Sequence, residues 1–322
     1  VTTTRSLPRA VGPLTEALFT TLSEAPTGAA LPCAPVDAYG HDLQLALYAC
    51  YELHYQGFPE VSAAWEWNPE LLRFRALLEE AFLGALRRDT PGGDDVWGEV
   101  DGLLVDSPGV SGHLCDEGEW WQMREYFVHR SIYHLKEADP HAWVLPRLRG
   151  KAKAALVAVE YDEFGGGRAE RMHSQLFADL MDGAGLDSGY LAHIDDVPAP
   201  ALAVVNMMSL FGLHRGLRGA LVGHFAATEI TTGPAAKRME KALERMGAHP
   251  VCIRFYTEHI EADAVHEQVL RHDVLGDLLH HEPELAADVV LGIQATGLLE
   301  THLADHVMAC WSQGRSSLLR SP

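Results

Sequence analysis

Basic residues are scarce in this sequence: 25 Lys plus Arg stand against 45 Asp plus Glu, a formal charge of -20. Such a chain repels phosphate backbones, which argues against nucleic acid as a partner. Long apolar runs are also missing. No stretch of about 18 apolar residues occurs, so no membrane-spanning helix and no membrane partner are expected. The opening VTTTRSLPRAVGPLTEALFT lacks the apolar stretch and small-residue cleavage pattern of a secretory signal, and a cytoplasmic location is expected. Cysteine is thin: Cys33, Cys50, Cys115, Cys252 and Cys310 are scattered without a CxxC, which suggests neither a zinc knuckle nor a disulfide framework. Also absent are GxxxxGK[ST], GxGxxG and GxSxG, the usual signals of nucleotide hydrolysis, dinucleotide binding and serine-esterase chemistry. Few segments alternate polar and apolar residues with β-branched enrichment, so a sheet has little to be built from.

What remains is helical. The 322 residues are 47% hydrophobic, enough for a large core. Apolar residues recur three and four apart over residues 36–55 and 68–88, the second opened by Asn68-Pro69, an N-cap followed by Pro at the first helical position. Further helices are predicted near 117–138, 141–162, 168–183, 198–230, 235–247, 250–270 and 283–311. The expected organisation is an N-terminal arm over 1–35, a helical extension over 36–110, and a metal-binding bundle over 111–315. The extension is expected to serve as a cover or as a homodimer contact.

Among 18 histidines, spacing singles out a few. In VCIRFYTEHIEADAVHEQVL, His259, Asp263 and His266 stand at i, i+4 and i+7, so all three project from one helical face. Val251 and Phe255 continue that face upstream, which marks it as inward. Burying a carboxylate between two imidazoles without counter-charge costs several kcal/mol, and a metal cation removes that cost. The alternative is a helix with His and Asp on its surface. One helix cannot saturate two metals, and other segments offer donors: Glu163 closes one helical run, His173 opens the next, and Gly165, Gly166 and Gly167 separate them. Glu137 lies in SIYHLKEADPH, and Glu229 is the only acid between Pro198 and Ile230. Mixed carboxylate and imidazole donors suit iron or manganese better than structural zinc. Seven ligands, Glu137, Glu163, His173, Glu229, His259, Asp263 and His266, suit a carboxylate-bridged pair of metals.

The segments LKEADPHAW, YDEFGGGRAERMH, NMMSLFGLHRGLRGALVGH and EHIEADAVH resemble the haem-oxygenase-like diiron oxidases and oxygenases, and within them the actinobacterial iron-containing redox proteins. The likeness spans roughly residues 37–311, and EHIEADAVH is its most specific element. It implies an all-α, seven-helix haem-oxygenase-like bundle with additional N-terminal helices, two iron ions, dioxygen as co-substrate, and oxidation of a small amine, amino acid or fatty acid. It also supports Glu137 as a ligand more than the local sequence does, since Arg130 and Lys136 are natural charge partners for that acid. Glu170, three residues before His173, competes with Glu163 for one ligand place.

Arg215 and Arg218, at i and i+3 on an otherwise apolar segment, could hold a substrate carboxylate, or could pair with acids of a neighbouring helix. The aromatic group Trp120, Trp121, Tyr126, Phe127 and Tyr133 could line a substrate cavity or simply fill the core. No flavin or nicotinamide motif is encoded, so an oxygenase of this kind needs an external electron donor, either the substrate itself or a small reductase or ferredoxin. The competing function is an iron-binding, ferroxidase-like protein without organic substrate. Ferritin-like carriers usually show two matched ExxH motifs, whereas here one appears.

Overall fold

A computed structural model describes residues 6–26, 28–32, 37–105 and 107–320, with the side chains of 261–264 outside the described set. Among the described residues there is no strand. In chain order the helices are α1 Pro13–Leu22, α2 His41–Glu52, α3 Pro69–Asp89, α4 Val96–Leu103, α5 Gly109–Asp116, α6 Trp120–His134, α7 Asp139–Ala142, α8 Gly150–Glu163, α9 His173–Gly183, α10 Ala199–Leu213, α11 Arg218–Arg245, α12 Pro250–Gln268, α13 Gly276–His281 and α14 Ala286–Trp311. A π-helical stretch, Val269–Leu275, carries α12 directly into α13. No helix among the described residues is long and apolar enough to cross a membrane.

Local signals behave as the sequence predicts at several ends. Asn68 Oδ1 accepts from the backbone N–H of Glu70 and Leu71 and caps α3 behind Pro69. Two boundaries differ from expectation. The residues from 141 do not form one helix to 162, because Pro146 interrupts and α8 starts only at Gly150. Conversely, the break expected between 230 and 235 is absent. Helix α11 runs through Pro234, while Thr231 and Thr232 hydrogen-bond back to the carbonyls of Ala227 and Thr228 in the turn before it. The break falls instead at residues 214–217, between α10 and α11.

Helix α10 is buried from Ala201 through Gly212 and forms the centre of the molecule. It packs against α2, α14, α11 and α6, while α11 packs on α12, α14 and α5. Helices α11 and α14 cross closely through Gly223 and Gly292, where an added Cβ would lie 2.1 Å from the Val289 carbonyl and 2.0 Å from that of Ala220. The aromatic group of α6 divides. Trp120 packs on Phe127 and Trp121 on Trp311, whereas Tyr133 sits at the far end of the helix, beside His134 and His141.

Candidate metal centre

Five elements deliver the donors. Glu137 sits in the turn after α6, Glu163 ends α8, His173 starts α9, Glu229 lies in α11, and His259 and His266 lie one above the other on α12. The link between Glu163 and His173 is short and tightly folded. Gly165 has φ +72, and a Cβ there would stand 2.6 Å from the backbone of Arg171 and Met172, so only glycine lets the loop close here. This closure brings the first residue of α9 against the last of α8.

The donors assemble into two buried triads: Glu137, His173 and His259, and Glu163, Glu229 and His266, each with its ligand atoms within 4.8 Å of one another. Glu163 touches both. Its Oε2 is 2.7 Å from His173 Nδ1 in the first triad, and its Oε1 is 3.5 Å from His266 Nδ1 in the second. The short contact with His173 is an ion-pair distance without hydrogen-bond geometry, and Nδ1 of His173 is left without a hydrogen-bond partner. Donors that converge on a shared cation need not point at each other. The residues therefore fit a metal pair, and a mixed carboxylate and imidazole set fits iron.

In the first triad the acid is ionised. His259 Nδ1 donates to the Phe255 carbonyl at 2.8 Å, which fixes the ring with Nε2 3.8 Å from Glu137 Oε1. His134 Nδ1 holds Glu137 Oε2 at 2.8 Å. Burial alone would raise the Glu137 carboxyl, but His134 and then His259 outweigh it and hold it well below the usual carboxylate range. Phe177 and Phe255 pack on His134, and Phe255 also on His259, which keeps this side dry.

The second triad holds protons instead. His266 Nδ1 meets Glu229 Oε2 at 3.0 Å and its Nε2 meets Asp162 Oδ2 at 3.3 Å. Burial pulls this imidazole down, but Glu229, Glu163 and Asp162 overcome it and raise His266 to about 9. Burial, with the charge of Glu163, pushes the Glu229 carboxyl up even against its bond to His266. One turn before Glu163 on the same helix, Glu160 is 3% exposed with neither carboxyl oxygen hydrogen-bonded. Burial, then Glu163 and Glu229, raise it to about 9. Among the described residues no Lys or Arg pairs with Glu137, Glu160, Glu163 or Glu229.

Six of the seven expected ligands thus share one centre, while the Asp263 side chain lies outside the described residues. Glu170 is exposed on the glycine loop, away from the triads that Glu163 joins. Arg218 pairs with Glu282 and, 11 residues from Glu229 on the same helix, stands about 16 Å along the axis from it. Arg215 is exposed in the turn before α11. His134, Glu160 and Asp162 were not singled out from the sequence. Their signal is position: His134 precedes Glu137 by three residues and Glu160 precedes Glu163 by three, one helical turn in each case.

Residues 124–301 match the profile of a family described as iron-containing redox enzymes, a stretch that contains every candidate ligand and runs from α6 into α14. A nitrosourea synthase from Streptomyces achromogenes subsp. streptozoticus is 25% identical over 172 residues, covering 53% of this chain and 36% of that protein. The match therefore takes in little more than a third of that relative's length. The matched region spans more than half the chain, and the helical bundle is haem-oxygenase-like. With two carboxylate and histidine triads at its centre, the chain belongs to the iron-containing redox enzyme family.

Proposed function

We propose that the chain is a non-haem diiron oxidase or oxygenase that uses dioxygen to oxidise a small organic substrate, an amine or amino acid, at or next to nitrogen. The observation that carries this is Glu163, whose two carboxylate oxygens face different triads, the placement a bridging ligand needs. Glu137, His173 and His259 would hold one iron, and Glu163, Glu229 and His266 the other, and the sequence spacing of Asp263 from His259 and His266 makes it a further candidate donor. When bound, the iron pair supplies the electrons that reduce dioxygen and the oxidising power passed to the substrate. The chain's own residues prepare that chemistry. His134 orients Glu137, Phe177 and Phe255 pack beside the first triad, and His266 carries a proton that metal binding would release.

Two observations support nitrogen as the substrate's reacting group. The relative's product, a nitrosourea by its name, carries an oxidised nitrogen. In this chain the buried Glu160 carboxyl, lacking a partner, offers an acceptor for a basic nitrogen beside the centre. Re-reduction comes from outside, from the substrate or from a small reductase or ferredoxin. The test is to load the protein anaerobically with ferrous iron, then admit oxygen with and without a panel of small amines and amino acids. Two irons per chain and amine-dependent oxygen uptake, with oxidised amine detected by mass spectrometry, are expected. Oxygen uptake that oxidises only the iron, whatever amine is present, would instead establish a ferroxidase.

A further inference from the structure

Lys136, the residue next to Glu137, is 3% exposed and points away from the centre into the N-terminal extension. Its Nζ lies 3.1 Å from Glu52 Oε2, and Glu52 is fully buried at the end of α2. Glu52 is itself saturated: the Tyr190 hydroxyl donates to its carboxylate at 2.8 and 2.9 Å, and the Gln56 N–H to Oε1 at 3.2 Å. The Lys136 ammonium also sits 4.4 and 4.3 Å from the ring centroids of Tyr48 and Tyr55, a cation held between two aromatic faces. Tyr48 makes one more contact, donating to the Ile132 carbonyl at 3.0 Å, in the last turn of α6. Three side chains from α2 and the turn after it therefore grip both ends of the segment 132–136 that presents Glu137. None of these three lies in the family-matched region 124–301.

We propose that Glu52 is a positioning residue for the iron ligand Glu137, acting through Lys136, so that occupancy of the first triad depends on the N-terminal extension. The proposal rests on the diiron reading of the two triads. Its physical basis is directional. A buried ion pair with every oxygen satisfied and the cation flanked by two rings allows one placement of Lys136, and Glu137 is its covalent neighbour. Among the described residues, no side chain of the N-terminal extension forms an ion pair or hydrogen bond with a residue adjacent in sequence to Glu163, Glu229 or His266.

Removing one charge alone would strand the other in the core, so the informative variant removes both. Glu52→Gln/Lys136→Met keeps side-chain volume and leaves no buried charge unpaired, and such replacements usually preserve the fold. Tyr190→Phe loosens the same grip by one hydrogen bond. The full chain is titrated with ferrous iron under nitrogen and read by Mössbauer spectroscopy. His266→Ala and His259→Ala serve as references that retain only the first or only the second triad. The double variant is expected to weaken iron at the first triad by about tenfold to a hundredfold, as removal of outer-sphere support does elsewhere. Iron at the second triad should be unchanged, and Tyr190→Phe should show a smaller effect in the same sense. Wild-type affinity at both triads in the folded variants overturns the proposal, as does an equal loss at both triads, which is the mark of a general structural role. Should wild type itself bind fewer than two irons, the diiron reading fails and not this link.

Discussion

The two triads use the same donor types and lie in one core, yet they meet the cost of buried charge in different ways. In the first, Glu137 is ionised under His134, and His259 is fixed by a backbone carbonyl with Nε2 facing Glu137. In the second, His266 sits between Glu229 and Asp162 as an imidazolium, and Glu229 and Glu160 are pushed towards the neutral acid. Buried carboxylates without a metal need positive charge or a proton. The first triad draws on hydrogen-bond donors from its surroundings, whereas the second holds protons that a metal must displace. The two halves of the candidate centre thus differ in the charge they carry before a cation arrives.

The largest effect comes from dissecting the halves. His259→Ala and His266→Ala are each expected to leave a chain that binds one iron, shows wild-type helical circular dichroism and consumes no oxygen with substrate. Loss of both irons in His259→Ala, by metal analysis, would mean that the triads do not load separately.

Proton displacement sharpens the contrast further. With His266 raised to about 9, iron must expel its proton at neutral pH, so affinity at the second triad should rise by up to about tenfold per pH unit between pH 6.5 and 9. Affinity at the first triad should rise less steeply, because Glu137 is already ionised. The sign for the metal-free fold is opposite. A folded-state pKa above the unfolded one stabilises below about 6.5, and that contribution fades as pH rises through about 9. Anaerobic titrations at several pH values measure both slopes, and parallel slopes would erase the distinction.

The smallest effect concerns stability. Glu160, raised from 4.5 to about 9, is neutral in the fold at pH 7 but ionised when unfolded. That difference costs the metal-free protein about 3 kcal/mol. The Glu160 contribution is least unfavourable below pH 4.5 and worsens as pH rises towards about 9. Glu160→Gln should remove this decline and raise the metal-free melting temperature by several degrees at pH 8, with the gain vanishing near pH 4. Thermal denaturation across pH decides, and identical profiles for variant and wild type would show that Glu160 does not carry the charge burden assigned to it.

The helical class was legible because its evidence is local: periodicity at three and four residues, the Asn68-Pro69 start, and the shortage of strand patterns. Boundaries were less so. Pro234 reads as a stop, yet α11 passes through it, because packing of α11 on α12 and α14 outweighs the missing backbone bond. The shared inward face of His259 and His266 on α12 was legible from helical geometry alone, and both are buried. Arg215 and Arg218 show the limit of such reasoning. An arginine pair on an apolar helix looks the same whether it meets a substrate or Glu282, and Arg218 meets Glu282.

By itself the sequence determined that this chain is helical, that its acids and histidines outnumber any thiol ligands, and that one helix face carries imidazoles at metal-binding spacing. These follow from side-chain chemistry and the 3.6-residue turn, which act within a few residues. Only the tertiary structure decided that Glu137 joins His173 and His259 while Glu229 joins His266, and that Glu163 faces both sets. It likewise decided that Glu52, far upstream on α2, grips the neighbour of a ligand. The reason is distance along the chain: which buried carboxylate meets which imidazole depends on how α8, α9, α11 and α12 cross, and crossing geometry is set by the packing of the whole core.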